Sequence, residues 1–298
     1  MIKLPNGVEI NNLIDDLRIV SWEASDILKD YSRKFKIATD KDKYIQLKGL
    51  DNPVTDADLE VNKLIHERFN EKYSKINWHI LSEENVKNDF DDFSYNSDWL
   101  WVFDPLDGTK DFIQNTNNFA MHLALNFKNK PLLGVVLIPA KDELWITNGL
   151  RTWCENKMGS RINLNISNYE NLQKMKLVIS KNHRNVFLEN LVEKVPFAST
   201  LIMGSIGCKI MSILKGESDI YITYSKPGFS SPKDWDFAAP EAILKNAGGA
   251  ITTIDNEPLI YNKESFKQEG LIIASGNKSI HRKLCDELKN IIKENKLY

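Results

Sequence analysis

Apolar side chains recur every three or four positions along the first forty residues, and this spacing predicts an amphipathic helix. A second helix is predicted in PVTDADLEVNKLIHERF, where Thr55 is the expected N-cap and Asp58 follows three positions later. The apolar runs WHILS, WLWVFD, FAMHLALNF, PLLGVVLIPA and ELWIT then predict strands, the last three joined by short polar turns. The first half therefore combines two helices with a meander of strands.

Strand and helix patterns alternate in the second half. The predicted strands are KLVIS, DIYITY, AITTI and LIIAS, and the predicted helices are SIGCKIMSILKG, PEAILKNAGG and HRKLCDELKNIIKEN. Between Cys154 and Asn168 the chain becomes polar and irregular. We therefore predict two domains, an α+β domain over residues 1–155 that carries most of the candidate site and an α/β domain over residues 156–298.

Composition narrows the class of protein. Apolar residues make up 42% and charged residues 27% of the 298 residues, an ordinary globular mixture. A formal net charge of −2 argues against a nucleic acid polymer or an anionic membrane as partner. No apolar run is long enough to span a bilayer, acids interrupt the first twenty residues, and the three cysteines lie far apart. We expect a cytoplasmic protein with free thiols.

Carboxylates stand at strand ends or helix starts throughout the chain. They are Asp58, Glu83, Glu84, Asp104, Asp107 and Asp236. Each also has a purely structural interpretation, as a capping-box acid, a solvated loop charge, a turn residue or a helix N-terminal acid. Neighbouring anions repel each other unless a cation lies between them, and Mg²⁺ prefers oxygen ligands. Taken together, the acids therefore predict a divalent-metal site.

The turn after Asp107 adds a second chemical feature. Gly108 lets the backbone approach a ligand closely, and Thr109 opens the predicted helix TKDFIQN, whose free N–H groups suit a phosphate. A metal site beside such a turn predicts phosphoester hydrolysis. The sequence does not match two other motifs for phosphate or metal binding. It has no G-x-x-x-x-G-K-[ST], the P-loop motif, and Asn115 stands where an EF-hand loop needs Glu.

The stretch WVFDPLDGTKDF resembles the signature of the inositol monophosphatase superfamily of Mg²⁺-dependent, Li⁺-sensitive phosphatases. PVTDAD, LSEEN and KDWDFAAPEAILKNAGG are similar to its other three elements, in the same order, over residues 53–249. Lys110, SKNHRN and GSIGCKI are most similar to the 3'(2'),5'-bisphosphate nucleotidases of this superfamily. The resemblance implies hydrolysis of 3'-phosphoadenosine 5'-phosphate to AMP and phosphate. It also implies a layered αβαβα sandwich with an antiparallel N-terminal sheet and a mixed C-terminal sheet that meet at a metal cleft.

The resemblance also implies ligands for two or three Mg²⁺ ions. Glu83, Asp104 and the Leu106 carbonyl would hold the first ion, and Asp104, Asp107 and Asp236 the second, with Glu83 also near a third.

The implied catalytic residues are Asp58, Thr109 and Glu83. Asp58 would accept a hydrogen bond from the Thr109 hydroxyl, and Thr109 would orient or deprotonate the attacking water. The backbone N–H groups of Gly108 and Thr109 would hold the scissile phosphate, while Glu84 would support the site without binding metal.

A third set of residues is implied for the substrate. The candidates are Gly108, Thr109, Lys110, His183, Ser205, Lys209 and Lys233. His183 and Lys209 stand where relatives touch the adenosine or its second phosphate, although His183 is equally a solvated loop residue and Lys209 a snorkelling helix lysine. Thr223 replaces an arginine of some nucleotidase relatives, so the nucleotide pocket differs. The loop at residues 226–233 is longer than expected and is either a lid or a surface loop.

Three alternatives remain open at this point. An inositol (poly)phosphate phosphatase would use the same metal ligands. A non-catalytic nucleotide-binding protein is less favoured, because it has no need of both Thr109 and Asp58. A structural module with solvated acidic turns would bind no metal. In each enzymatic case we expect a small-molecule substrate and a monomer or homodimer.

Overall fold

A computed structural model describes residues 4–38, 42–47, 53–86, 97–182 and 185–297. His183, a predicted substrate contact, lies outside these ranges. The helices are α1 (Ile10–Ile37), α2 (Asp56–Tyr73), α3 (Glu83–Val86), α4 (Thr109–Ile113), α5 (Val186–Lys194), α6 (Ile206–Leu214), α7 (Asp234–Asn246) and α8 (Lys278–Glu294). The strands are β1 (Ile45–Leu47), β2 (Pro53–Thr55), β3 (His79–Ser82), β4 (Trp99–Asp107), β5 (Ala120–Phe127), β6 (Lys130–Ile138), β7 (Glu143–Thr147), β8 (Thr152–Glu155), β9 (Arg161–Ile162), β10 (Lys176–Ser180), β11 (Ser199–Met203), β12 (Ile220–Ser225), β13 (Ala250–Thr253) and β14 (Gly270–Ser275).

The first large sheet has seven strands in the order β3-β4-β5-β6-β7-β8-β9. All neighbours pair antiparallel except β3 and β4, which are parallel. The predicted antiparallel sheet is therefore confirmed apart from its edge strand β3. Strand β4 is buried over almost its whole length because helices cover both faces of the sheet, which explains its continuous apolar run.

The second large sheet has five strands in the order β11-β10-β12-β14-β13. Strand β10 runs parallel to both β11 and β12, whereas β14 runs antiparallel to both β12 and β13. The prediction of a mixed C-terminal sheet is confirmed. A separate two-stranded antiparallel sheet joins β1 to β2 ahead of α2.

Three apolar clusters hold the layers together. In the first, Leu17 of α1 and Val61 of α2 pack with Leu123 and Leu125 of β5. The intervening Ala124 belongs to the second cluster, which fills the space between the sheets and includes residues of α6 and α7. This alternation along β5 is the period of two that a strand imposes.

The third cluster lies on the outer face of the second sheet. There Leu188 of α5 and Leu284 of α8 cover Ile222 and Ile273. The order of layers is therefore α1/α2, the first sheet, α6/α7, the second sheet and α5/α8, so the predicted αβαβα sandwich is confirmed.

Several element boundaries differ from the sequence predictions. Helix α5 and the strands β8 and β11 are not among the predicted elements. Helix α7 begins at Asp234, six residues ahead of the predicted start at Pro240, which lies inside the helix. Because proline is tolerated best in the first helical turn, the sequence predicts the helix start at Pro240.

The proposed division into two domains stays a prediction. The first sheet extends to Ile162 and the second begins at Lys176, while α6 and α7 bury side chains in the cluster between the two sheets. In the part of the chain that the structure describes, every helix is too short or too polar to cross a bilayer.

Candidate active site

Two acids of the candidate site lie at the end of β4. The strand pairs with β5 up to Asp104 and His122, loses register, and pairs again at Asp107 and Ala120. Within this irregular stretch the Leu106 N–H donates to Asp104 Oδ1 at 2.9 Å. The break in the ladder lets Asp104 and Asp107 both contribute to one site, although an undistorted strand would place them on opposite faces.

The third acid comes from the first turn of α7. Asp236 Oδ2 accepts a hydrogen bond from the Lys233 N–H at 2.5 Å, which fixes the carboxylate at the helix start. One carboxylate oxygen from each of Asp104, Asp107 and Asp236 lies within 4.8 Å of the others. Of these side chains, Asp104 is only 1% exposed.

Three carboxylates at this separation repel one another strongly when they share a poorly solvated site. A hard divalent cation removes that repulsion, and all the donors are the carboxylate oxygens that such cations prefer. The donor set therefore fits a divalent metal.

Asp107 is held by the start of α6. Its Oδ2 accepts hydrogen bonds from Ser205 Oγ at 2.6 Å and from the Gly207 N–H at 3.1 Å. Ser205 is also the N-cap of α6, because its Oγ accepts the Cys208 N–H at 3.1 Å. A carboxylate at a helix N-terminus is further stabilised by the unpaired amides and the helix dipole.

His122 lies beneath Asp107 and was not predicted as a site residue. Its Nε2 is 3.2 Å from Asp107 Oδ2 without forming a hydrogen bond, and burial lowers the pKa of this fully buried imidazole. A Cβ at residue 207 would lie 2.2 Å from His122 Nε2, so only glycine fits here. A lone histidine in an apolar strand gives no sequence signal of this contact.

The predicted anion-binding turn is formed by Gly108 and Thr109. Gly108 has a φ of +90°, and a Cβ on it would lie 2.9 Å from the Asn118 carbonyl, so a side chain is excluded on both grounds. Helix α4 begins at Thr109, as predicted.

The hydrogen bond expected between Thr109 and Asp58 is not formed. Thr109 Oγ1 instead donates to the Leu106 carbonyl at 3.0 Å. Asp58 Oδ2 accepts from the Thr55 N–H at 2.8 Å and from Thr55 Oγ1 at 2.6 Å, so it acts as the predicted capping-box acid of α2. The pKa of Asp58 is raised to about 7, mainly by burial and also by the nearby carboxylates of Glu84 and Glu83, while the hydrogen bonds from Thr55 lower it.

These groups open onto a cleft of about 870 Å³. Its lining includes the predicted residues Glu83, Asp104, Leu106, Asp107, Gly108, Thr109, Lys110, Lys209, Lys233 and Asp236. Ser205 contacts Asp107 behind the lining, and Asp58 lies buried in α2. A smaller cavity of about 510 Å³ near Phe69, Tyr73 and Trp78 contains none of these acids.

The two cations from the second half of the chain differ in their surroundings. Lys209 on α6 is 1% exposed, and its Nζ donates to the Gly204 carbonyl and lies 5.6 Å from the centre of the Tyr221 ring. Burial lowers the pKa of Lys209, while Asp107 and other acids oppose this. Lys233 is half-buried and its Nζ donates to the Ser265 carbonyl at 2.9 Å.

Comparison with known proteins identifies the family. The model of the inositol monophosphatase family matches residues 13–293, which includes every acid of this site. The chain belongs to the inositol monophosphatase family. Members of this family are metal-dependent, in agreement with the cluster of Asp104, Asp107 and Asp236.

Two relatives carry the name 3'(2'),5'-bisphosphate nucleotidase CysQ. The protein from Buchnera aphidicola subsp. Acyrthosiphon pisum is 34% identical over 223 residues, which cover 74% of this chain and 78% of the relative. The protein from Escherichia coli K12 is 28% identical over 230 residues, which cover 76% and 87%.

Solved structures of inositol monophosphatases share the fold. The Thermotoga maritima enzyme superposes with a TM-score of 0.72 at 22% identity, covering 95% of this chain and 99% of that one. The Anabaena (Nostoc) enzyme gives a TM-score of 0.70 at 23% identity, with coverage of 95% and 97%.

Proposed function

We propose that this protein is a Mg²⁺-dependent 3'(2'),5'-bisphosphate nucleotidase that hydrolyses the 3'-phosphate of 3'-phosphoadenosine 5'-phosphate to AMP and phosphate. The observation that carries the proposal is the convergence of Asp104, Asp107 and Asp236 at a cleft that also contains the buried Lys209. The cleft volume of about 870 Å³ lies in the range that accommodates drug-sized ligands, so a nucleotide fits it by size. The names of the related CysQ proteins support the same substrate.

In this proposal two or three Mg²⁺ ions would be held by residues at the ends of β3 and β4 and at the start of α7. The ligands are Glu83, Asp104, the Leu106 carbonyl, Asp107 and Asp236. When bound, such cations supply positive charge that stabilises the phosphoryl transition state and acidify a nearby water.

Thr109 and Asp58 are the proposed catalytic pair, with Glu83 beside them. The Thr109 hydroxyl would orient the attacking water after turning from the Leu106 carbonyl, to which it donates now. A carboxyl group whose pKa is about 7 is poised to accept a proton near neutral pH, and Asp58 meets that requirement.

The proposed substrate contacts follow from the positions of the remaining cleft residues. The amides of Gly108 and Thr109 would bind the scissile phosphate, and Lys209 would meet the second phosphate. Lys110, Ser205 and Lys233 are further candidates, although Ser205 acts through Asp107 in the present arrangement. A cytoplasmic location and a monomeric or homodimeric state belong to the same proposal.

Phosphate release from 3'-phosphoadenosine 5'-phosphate and from inositol 1-phosphate, each with Mg²⁺ and with excess EDTA, tests the proposal. We expect Mg²⁺-dependent release with preference for the nucleotide. Equal or faster turnover of inositol 1-phosphate would assign the chain to the inositol phosphate phosphatases instead. Asp104→Asn should abolish activity while leaving the fold intact; full activity in that variant would remove the metal site from the proposal.

A further inference from the structure

The loop between β12 and α7 places an exposed aromatic ring at the mouth of the cleft. Phe229 lines the cleft together with Tyr221, Tyr224 and Trp235. Tyr221 and Trp235 are buried and Tyr224 is half-buried, whereas Phe229 is 61% exposed. Among the aromatic side chains that the structure describes in this lining, Phe229 is thus the one that keeps most of its surface open to a ligand.

The ring is presented by a rigid turn. Residues 226–229 are Lys, Pro, Gly and Phe, and the Phe229 N–H donates to the Lys226 carbonyl at 3.1 Å. Pro227 restricts its own φ, and Gly228 has a φ of +83°, the combination that a type II turn requires. Phe229 therefore occupies a defined position at the end of the turn.

Further hydrogen bonds tie the turn to the body of the protein. The Gly228 N–H donates to Glu269 Oε1 at 3.0 Å, and the Gln268 N–H donates to the Pro232 carbonyl at 2.8 Å. Within the loop itself, Ser231 Oγ donates to the Phe229 carbonyl at 3.1 Å. The loop is thus anchored on both sides of Phe229, which favours a fixed wall of the cleft over a freely moving surface loop.

A cation accompanies the ring. Lys226 Nζ lies 5.1 Å from the centre of the Phe229 ring, close enough for a cation–π contact. Lys209 and Lys233 line the same cleft as Lys226, so the cleft that the ring borders also carries other lysines. This pairing suits a ligand that combines a flat aromatic part with phosphate groups and offers no equivalent advantage to a phosphorylated polyol.

We propose that Phe229 is a stacking platform for the nucleobase and that the loop at residues 226–232 thereby selects nucleotides over phosphate esters without a base. The inference rests on the proposed nucleotidase function, whose substrate preference it explains. Base–aromatic stacking contributes about 1–3 kcal/mol per base, which corresponds to roughly 5- to 150-fold in affinity.

Calorimetric titration of AMP and of ribose 5-phosphate into the wild-type protein and Phe229→Ala tests the proposal. AMP should bind the wild type about tenfold more tightly than ribose 5-phosphate, and Phe229→Ala should remove most of that ratio. Phe229→Trp should retain the ratio because it keeps a stacking surface. Leu150→Ala is the control, since Leu150 is 65% exposed on a loop outside the cleft lining.

Two outcomes would overturn the inference: equal affinity of the wild type for both ligands, or an unchanged ratio in Phe229→Ala. Failure of the proposed function gives a different result, because the wild type would then release no phosphate from 3'-phosphoadenosine 5'-phosphate while the AMP titration still reports on stacking.

Discussion

Ser205 Oγ donates a hydrogen bond to Asp107 Oδ2 at 2.6 Å across 98 positions of sequence. Ser205 caps α6, which packs between the two large sheets, while Asp107 ends β4 of the first sheet. The contact therefore couples the position of a candidate metal ligand to the start of a helix from the second half of the chain.

Ser205→Ala should weaken metal binding as well as folding. The substitution removes a hydrogen bond to a charged acceptor, a loss of about 1.5–3 kcal/mol, and an N-cap that contributes about 1 kcal/mol. We expect the Mg²⁺ concentration for half-maximal activity to rise by roughly tenfold or more. Activity titrated with Mg²⁺ and the thermal midpoint, both measured on the same preparations, separate the two effects.

Asn277→Ala provides the matched control. Asn277 is the N-cap of α8, where its Oδ1 accepts a solvent-exposed hydrogen bond from the Ser279 N–H at 3.0 Å. This variant should lose about 1 kcal/mol of stability, which is the capping part of the Ser205→Ala loss, without any change in Mg²⁺ dependence. If Ser205→Ala behaves in the same way as Asn277→Ala, the hydrogen bond to Asp107 has no role in metal binding.

Gly207→Ala should destabilise the protein through His122. A methyl group at this position would lie 2.2 Å from His122 Nε2, and both residues are fully enclosed next to Asp107. Overpacking of this kind costs about 1–3 kcal/mol, which urea denaturation measures directly. The variant should also need more Mg²⁺, because the displaced imidazole disturbs Asp107.

The double variant His122→Ala, Gly207→Ala tests that explanation. Alanine is a better helix former than glycine by about 1 kcal/mol, so in the His122→Ala background the second substitution should be neutral or stabilising. An equal loss of stability from Gly207→Ala in both backgrounds would show that a contact other than His122 is responsible.

Asp58 should make stability depend on pH in metal-free buffer. Burial raises its pKa to about 7 in the folded protein, above the ordinary value near 3.8. The folded state thus keeps a proton that the unfolded chain releases between about pH 4 and pH 7, so the free energy of unfolding falls as pH rises through this window. The slope is about 1.4 kcal/mol per pH unit at most.

Asp58→Asn removes this titration and retains an acceptor for the Thr55 hydrogen bonds. Urea midpoints at pH 4.5 and 7.5 in EDTA should therefore fall less steeply with pH in the variant than in the wild type. Asp56→Asn, on the same helical turn but half-buried, controls for the loss of one carboxylate. Parallel pH profiles for wild type and Asp58→Asn would contradict the prediction.

Sequence patterns predicted the parts of the fold that depend on local periodicity. The alternation of Leu123, Ala124 and Leu125 assigns a strand buried on both faces, and the acids at the end of β4 could be assigned to a strand end. The resemblance added the convergence of Asp236 with Asp104 and Asp107, which no spacing along the chain reveals. Periodicity reports whether a side chain is buried, but it does not identify its partner.

The contacts that the sequence does not predict are those made by tertiary packing. His122 resembles any other member of an apolar strand, and Gly207 any helix glycine, until the structure brings them within contact of Asp107. The hydrogen bond of Thr109 to Leu106 depends on the conformation of one turn, which residue types alone did not indicate. Helix α5 and strand β11 contain apolar side chains on exposed as well as buried faces, such as Val186 and Ile202, so their apolar positions do not mark one buried face.

Lys209→Met should distinguish a bisphosphate substrate from a monophosphate. Lys209 is a buried cation at the cleft, and a charge-assisted hydrogen bond contributes about 1.5–3 kcal/mol. The KM for 3'-phosphoadenosine 5'-phosphate should therefore rise by roughly 10- to 100-fold, with a smaller effect on inositol 1-phosphate, which has no second phosphate. Steady-state kinetics with both substrates measure the two effects.

Lys63→Met, which removes a 73% exposed side-chain charge from α2, controls for net charge. An unchanged KM for the bisphosphate in Lys209→Met would separate Lys209 from the second phosphate and leave it a structural lysine that binds the Gly204 carbonyl.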